Sequence, residues 1–170
     1  MVNLQPADSD EAIPTPVEIA QQSITIKNMM EDLNLGPDQS DVAIPLHNVK
    51  KDILEKVLDY CKRHYENPEE KTDDKKKDLE ISPADKEFTD SLPKTARPHE
   101  KLFELMLAAN YLDIKPLLDL TCKTVAYLVV GKNPEEIRKE FGIEKPFTPE
   151  DYEKLRQDFD WAKDETKEKQ

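Results

Sequence analysis

The sequence predicts a helix-rich α/β fold with a small sheet, on three observations. Apolar residues recur every three or four positions through residues 49–61, 102–109 and 117–129, the spacing that gathers them on one side of a helix. Short apolar pieces at Val2 to Leu4 and Val42 to Leu46 read as strands. Residues 66–85 are too charged to bury a core of their own.

In chain order, Val2 and Leu4 alternate with polar neighbours, and Val42, Ala43, Ile44, Pro45 and Leu46 form a second strand-like run. Between them Val17 to Leu33 reads as helical in pieces, with Ile24, Ile26, Met29, Met30 and Leu33 expected on the buried side. Asn48 is the expected N-cap of a helix running to about Tyr65, whose stripe is Val49, Ile53, Leu54, Val57, Leu58 and Cys61. Of the 20 residues from Glu66 to Asp85, 12 are charged and none is aromatic, so a disordered surface loop is the expected state. A short helix around Phe88 follows, and Pro93 and Pro98 interrupt the chain.

The strongest helical signals come next. Glu100 to Tyr111 carries Leu102, Phe103, Leu105, Met106 and Ala109. Pro116 to Val130 carries Leu117, Leu118, Cys122, Val125, Ala126 and Val129, with Gly131 as the stop. Asn133, Pro134 and Glu136 spell a capping box for a helix that Gly142 ends, and Thr148, Pro149 and Asp151 open a last helix through about Lys163.

Composition removes several function classes. A chain of 170 residues can bury about 70% of its unfolded surface, so a real core is expected. Its net charge of -12 repels phosphate backbones and anionic lipid, which argues against nucleic acid and membrane as partners. No apolar run approaches the roughly 20 residues of a membrane span, and Met-Val-Asn-Leu-Gln lacks the head of a secretory signal. Cys61 and Cys122 both lie on apolar stripes, which predicts two buried thiols in a reducing compartment rather than a disulfide. Gly36, Gly131 and Gly142 are too far apart for a phosphate-binding loop.

Catalytic and metal chemistry find little support. Cys61 and His64 are spaced C-x-x-H, with His47 and Cys122 as conceivable further ligands, but structural zinc sites usually bring two close pairs. Cys61 in the core and His64 as a solvated helix residue is the better account. Cys122 as a nucleophile meets the objection that an apolar stripe raises a thiol's pKa. The acidic pairs Asp73 with Asp74 and Glu135 with Glu136 fall in a charged loop and a helix's first turn, where solvation and capping explain them. No enzyme activity and no cofactor is expected.

The tail points instead to a protein partner. Residues 132–170 hold 21 charged side chains among 39, yet also Phe141, Phe147, Phe159 and the single Trp161. Two short helices cannot enclose those aromatics and Ile143 between themselves, and aromatic anchors ringed by charge are typical of binding hot spots. Core packing remains the commoner fate of an aromatic at helical spacing.

The stretch L-M-L-A-A-N-Y-L-D-I-K-P-L-L-D-L-T-C-K-T-V-A, followed by G-K-N-P-E-E-I-R-K-E-F-G-I, resembles the Skp adaptors of Skp/cullin/F-box ubiquitin ligases. V-E-I-A-Q-Q-S-I-T-I-K-N-M-M-E-D-L, I-P-L-H-N-V, L-D-Y-C-K-R-H and the tail F-T-P-E-D-Y-E-K-L-R-Q-D-F-D-W extend the likeness over nearly the whole chain. The resemblance implies a BTB/POZ-type domain at 1–131, with the charged loop inside 66–98, then F-box-binding helices at 132–165 and a tail at 166–170. It implies a non-catalytic adaptor that bridges F-box substrate receptors to a cullin, and to the cullin's RING subunit indirectly, in cytoplasm and nucleus. The F-box surface would include Cys122, Val125, Val129, Ile137, Phe141, Ile143, Phe147 and Trp161; the cullin surface would include Met106, Asn110 and Tyr111.

Three departures from the family pattern stand out. Pro116 replaces a usual glycine at a helix start, where proline is harmless. Asp10 to Pro16 replaces a strand pair joined by a D-G turn, and its two prolines imply an irregular edge. Ser82, Pro83 and Ala84 stand where a tryptophan is expected before Phe88. An elongin-C-like adaptor or a self-associating BTB protein is the near alternative, an acidic chaperone for basic proteins the distant one, and a weak homodimer of the chain alone is left open.

Overall fold

The computed structural model describes residues 1–33, 42–67, 81–93, 95–143 and 148–158. Two compact units divide the chain, Met1–Lys132 and Asn133–Gln170.

In the first unit, β1 (Val2–Pro6) runs between β2 (Ile13–Thr15) and β3 (Ala43–Leu46). It pairs antiparallel with β2 through Val2↔Thr15 and Leu4↔Ile13, and parallel with β3 from Asn3↔Ala43 to Pro6↔Leu46. A parallel pair needs a long connection, and this one carries β2, α1 (Val17–Ala20) and α2 (Ile24–Asp32). The period of two sends Val2, Leu4, Ile44 and Leu46 into the core. The prolines at 14 and 16 shorten β2 without abolishing it. Pro14 sits on an edge strand, where a missing N–H leaves no second neighbour unserved.

The helices α3 (Lys51–Glu66), α5 (Glu100–Tyr111) and α6 (Lys115–Val129) supply most of the remaining core, with α3 packed on α5 and α5 on α6. Buried on α3 are Ile53, Leu54, Val57, Tyr60 and Cys61. The expected cap is corrected: the helix starts at Lys51, and Asp8 of the β1–β2 connection accepts from the Lys51 amide at 2.7 Å. A carboxylate from 43 residues away does what Asn48 was expected to do. On α2 the buried pair is Ile26 and Met30, whereas Ile24 and Leu33 are exposed, which narrows the expected stripe to one side of a short helix.

The greater part of the charged loop, residues 68–80, lies outside the described residues. After it, α4 (Pro83–Asp90) forms where a short helix was expected; Ser82 caps it by accepting from the Asp85 amide at 3.1 Å. Phe88 is 1% exposed, with its ring 5.5 Å from that of Tyr60 and the Arg63 guanidinium 5.8 Å above it. The absent tryptophan therefore does not unseat this helix. His64 is corrected too: it is not solvated, since its ring lies 4.1 Å from that of Tyr60 and its Nε2 3.3 Å from Asp85 Oδ1. Among the described residues no three His, Cys, Asp or Glu side chains gather as a metal site, and no helix is long and apolar enough to cross a membrane.

The two thiols differ. Cys61 is buried, and loss of hydration pushes its thiol up to about 12. Cys122 is exposed, which corrects the expectation of a second buried thiol. The i, i+3, i+7 spacing defines a stripe but not what covers it, and Leu117, Leu120 and Thr121 take the inward side of α6 instead. A disulfide-exchange reagent at pH 8 will accordingly modify Cys122 within minutes and reach Cys61 only on unfolding. Burial suppresses ionisation of Cys61 in the folded chain, so its contribution to stability is intact below about 9 and declines as pH climbs towards 12.

In the second unit, α7 (Pro134–Glu140) carries the full capping box, with Asn133 Oδ1 accepting from the Glu136 amide and Glu136 Oε2 from the Asn133 amide, both at 2.9 Å. Gly142, at φ +62, closes it: its own amide reaches Lys139 O at 3.2 Å, and the Ile143 amide reaches Arg138 O at 2.8 Å. Thr148 and Asp151 exchange the same reciprocal bonds at the start of α8 (Pro149–Asp158). The remainder of the last helix, expected through Lys163, lies outside the described residues.

Candidate functional site

One candidate surface is the outer side of α5. Leu102, Leu105, Ala108 and Ala109 fill its inner side. The 100° advance per residue then puts Phe103, Met106, Leu107, Asn110 and Tyr111 together on the other. Leu107 is 68% exposed and Phe103 37%, Asn110 is exposed, and Met106 and Tyr111 are half-buried. Met106, Asn110 and Tyr111 were named from sequence and lie within this stripe. Phe103, one of the apolar residues by which the sequence marked this helix, belongs to the outer face, and Leu107 was missed. Its signal was an apolar residue that fits no inward position.

Charge fixes the flank of that stripe. Lys101 Nζ donates to Asp52 Oδ2 at 2.6 Å and to Glu104 Oε2 at 2.7 Å, while Lys50 Nζ reaches Glu104 Oε1 at 2.5 Å. Hydrogen bonds from Lys101 and then Lys50 hold the Glu104 carboxyl below its ordinary range, and the bonds to Asp52 and Glu104 raise Lys101. This network ties the start of α3 to α5. A hollow of about 80 Å³ opens beside it, lined by Val49, Ile53, Leu107 and Ala108 among others.

A second surface is the outer stripe of α6. Cys122, Val125 and Val129 share it, the first exposed and the others half-buried. The inward neighbour Thr121 satisfies its buried hydroxyl by donating to Leu117 O at 3.0 Å. In the second unit Ile137 and Phe141 stand one turn apart and are half-buried, and Ile143 is 51% exposed. Phe147 and Trp161, the other two residues named from sequence, lie outside the described residues. Among the described residues neither surface brings a nucleophile, a general base and an anion-stabilising donor together, and what the arrangement offers is apolar contact area.

Comparison with known proteins places most of the chain in one family. The model of the Skp1 family tetramerisation domain matches residues 1–66, and that of the Skp1 family dimerisation domain matches residues 115–162. The chain is 50% identical over 167 residues to the SCF ubiquitin ligase complex protein SKP1b of Dictyostelium discoideum, covering 96% of each. It is 44% identical over 168 residues to the suppressor of kinetochore protein 1 of Schizosaccharomyces pombe, covering 96% of this chain and 98% of that one. The E3 ubiquitin ligase complex SCF subunit sconC of Talaromyces marneffei is 42% identical over 166 residues, with 96% and 97% covered.

Proposed function

Because this chain belongs to the Skp1 family, we propose that it is the adaptor of a Skp/cullin/F-box ubiquitin ligase and bridges F-box substrate receptors to a cullin scaffold. The observation that carries the reading is the pair of unfilled stripes: two helices bury one side in a common core and turn a second, largely apolar side outward. On this reading the α6 stripe, with Ile137, Phe141, Ile143, Phe147 and Trp161, takes a helix of the F-box. The α5 stripe takes the N-terminal region of the cullin. The chain makes and breaks no bond. It raises the effective concentration of substrate at the ligase's catalytic subunits by holding both ends at once.

The elongin-C-like alternative gives no role to residues beyond Gly131, whereas the Skp1 family match at 115–162 runs through α7 and α8. An acidic chaperone would act through charge and weaken sharply with added salt; an apolar F-box contact persists at moderate salt. We place this activity in cytoplasm and nucleus, where fractionation should recover the chain together with its cullin.

Replacing Asn110 and Tyr111 together by Ala tests the assignment of the α5 stripe. Cullin affinity should fall by about tenfold or more, as truncating interface anchors does, while F-box affinity stays within about twofold, the usual effect of a distant surface change. Titration calorimetry with each partner gives both numbers, and unaltered cullin affinity would discredit the stripe.

A further inference from the structure

The end of α5 is closed from a distance. Its last four carbonyls, those of Ala109, Asn110, Tyr111 and Leu112, have no partner within the helix, as at any helix end. Two are satisfied by the turn that follows: the Ile114 amide donates to Ala109 O at 2.9 Å and the Asp113 amide to Asn110 O at 3.2 Å. This is the pattern in which a left-handed residue ends a helix. Here Asp113, at φ +50, takes the position that glycine usually fills, a conformation an L side chain rarely adopts.

The other two carbonyls are claimed by the start of α2. Thr25 Oγ1 donates to Tyr111 O at 2.9 Å, and Ser23 Oγ donates to Leu112 O at 2.5 Å. The Thr25 amide also approaches Leu112 O, at 3.4 Å. Ser23 is 2% exposed and uses the same oxygen to cap its own helix, accepting from the Ile26 amide at 3.1 Å. Two hydroxyls, 86 and 89 residues away in sequence, therefore complete the C-terminus of α5 and brace a turn that contains a strained non-glycine residue.

We infer that Thr25 and Ser23 are positioning residues for the cullin-facing surface, fixing the last turn of α5 so that Asn110 and Tyr111 are presented in one arrangement. Neither touches the partner on this account; they act through the carbonyls of Tyr111 and Leu112. The inference rests on the reading of the α5 stripe given above. Hydroxyls on α2 set the geometry, and the side chains of α5 make the contact. Without the Thr25 bond the Tyr111 carbonyl would turn towards water, and the turn at Asp113 would be free to relax.

Thr25→Val is the test, because valine keeps the shape and the backbone amide and removes only the hydroxyl. Affinity for the cullin N-terminal region should fall about fivefold, the scale of one neutral hydrogen bond. Binding of an F-box helix should be unchanged, and Thr25→Ser should restore the cullin affinity. Amide exchange at Asp113 and Ile114 should quicken in Thr25→Val and return to the parent rate in Thr25→Ser. Equal cullin affinity of Thr25→Val and the parent would overturn the inference, as would equal loss towards both partners or a serine variant no better than valine. If the parent chain itself bound no cullin, or bound it undisturbed by the Asn110 and Tyr111 substitutions, the failure would lie with the reading of the stripe. The exchange rates would still report whether Thr25 braces the turn.

Discussion

Phe88→Ala should lower the unfolding free energy by about 3–5 kcal/mol, the range for deleting a fully buried aromatic ring. No other phenylalanine among the described residues is so enclosed, and it is the one buried residue that α4 contributes to the core. The ring faces Tyr60, whose phenol burial also pushes upward, and lies under the Arg63 guanidinium. Removing it deprives α4 of its one buried side chain and leaves the helix to weaker contacts such as that between His64 and Asp85. Thermal unfolding should shift down by roughly 10 °C or more for a loss of that size, and amides in residues 84–91 should exchange faster than those of β1. A melting temperature within a degree or two of the parent would show that α4 is dispensable to the core.

Trp161→Ala should weaken F-box binding by about 2 kcal/mol or more and leave cullin affinity nearly unchanged, as truncation of an aromatic hot spot does. The physical ground is the mismatch in the tail between apolar aromatics and the charge that surrounds them. Ile143 is half exposed at the end of α7, where Gly142 turns the chain. A partner helix that covers these side chains removes apolar surface from water, a gain of about 25 cal/mol per Å² before the costs of association. Equal loss towards both partners would mean that the substitution disturbs the fold rather than a surface.

Much of this architecture could be read in advance, and the failures share one cause. Helix positions and most core residues followed from local spacing, as on α3, where Ile53, Leu54, Val57 and Cys61 are all buried. The capping box of α7 was legible because all its parts lie within four residues. What sequence reasoning missed was long-range. Asp8 caps α3, Ser23 and Thr25 close α5, and Asp85 reaches back to His64; none of these pairs has a local signature. Cys122 was misplaced for a related reason. An apolar residue on a helix has two apolar destinations, the core and a partner, and periodicity does not distinguish them. Leu107 makes the point most sharply, since it interrupts the pattern of α5 and is its most exposed apolar side chain.

The two-surface account is tested most directly by competition. Affinity for the cullin N-terminal region is measured by titration calorimetry, with the chain first free and then saturated with an F-box helix. Independent stripes on α5 and α6 predict a cullin dissociation constant that changes by less than about twofold, within the additivity of distant sites, and a complex containing one copy of each partner. Mutual exclusion, with the F-box helix displacing the cullin, would contradict it.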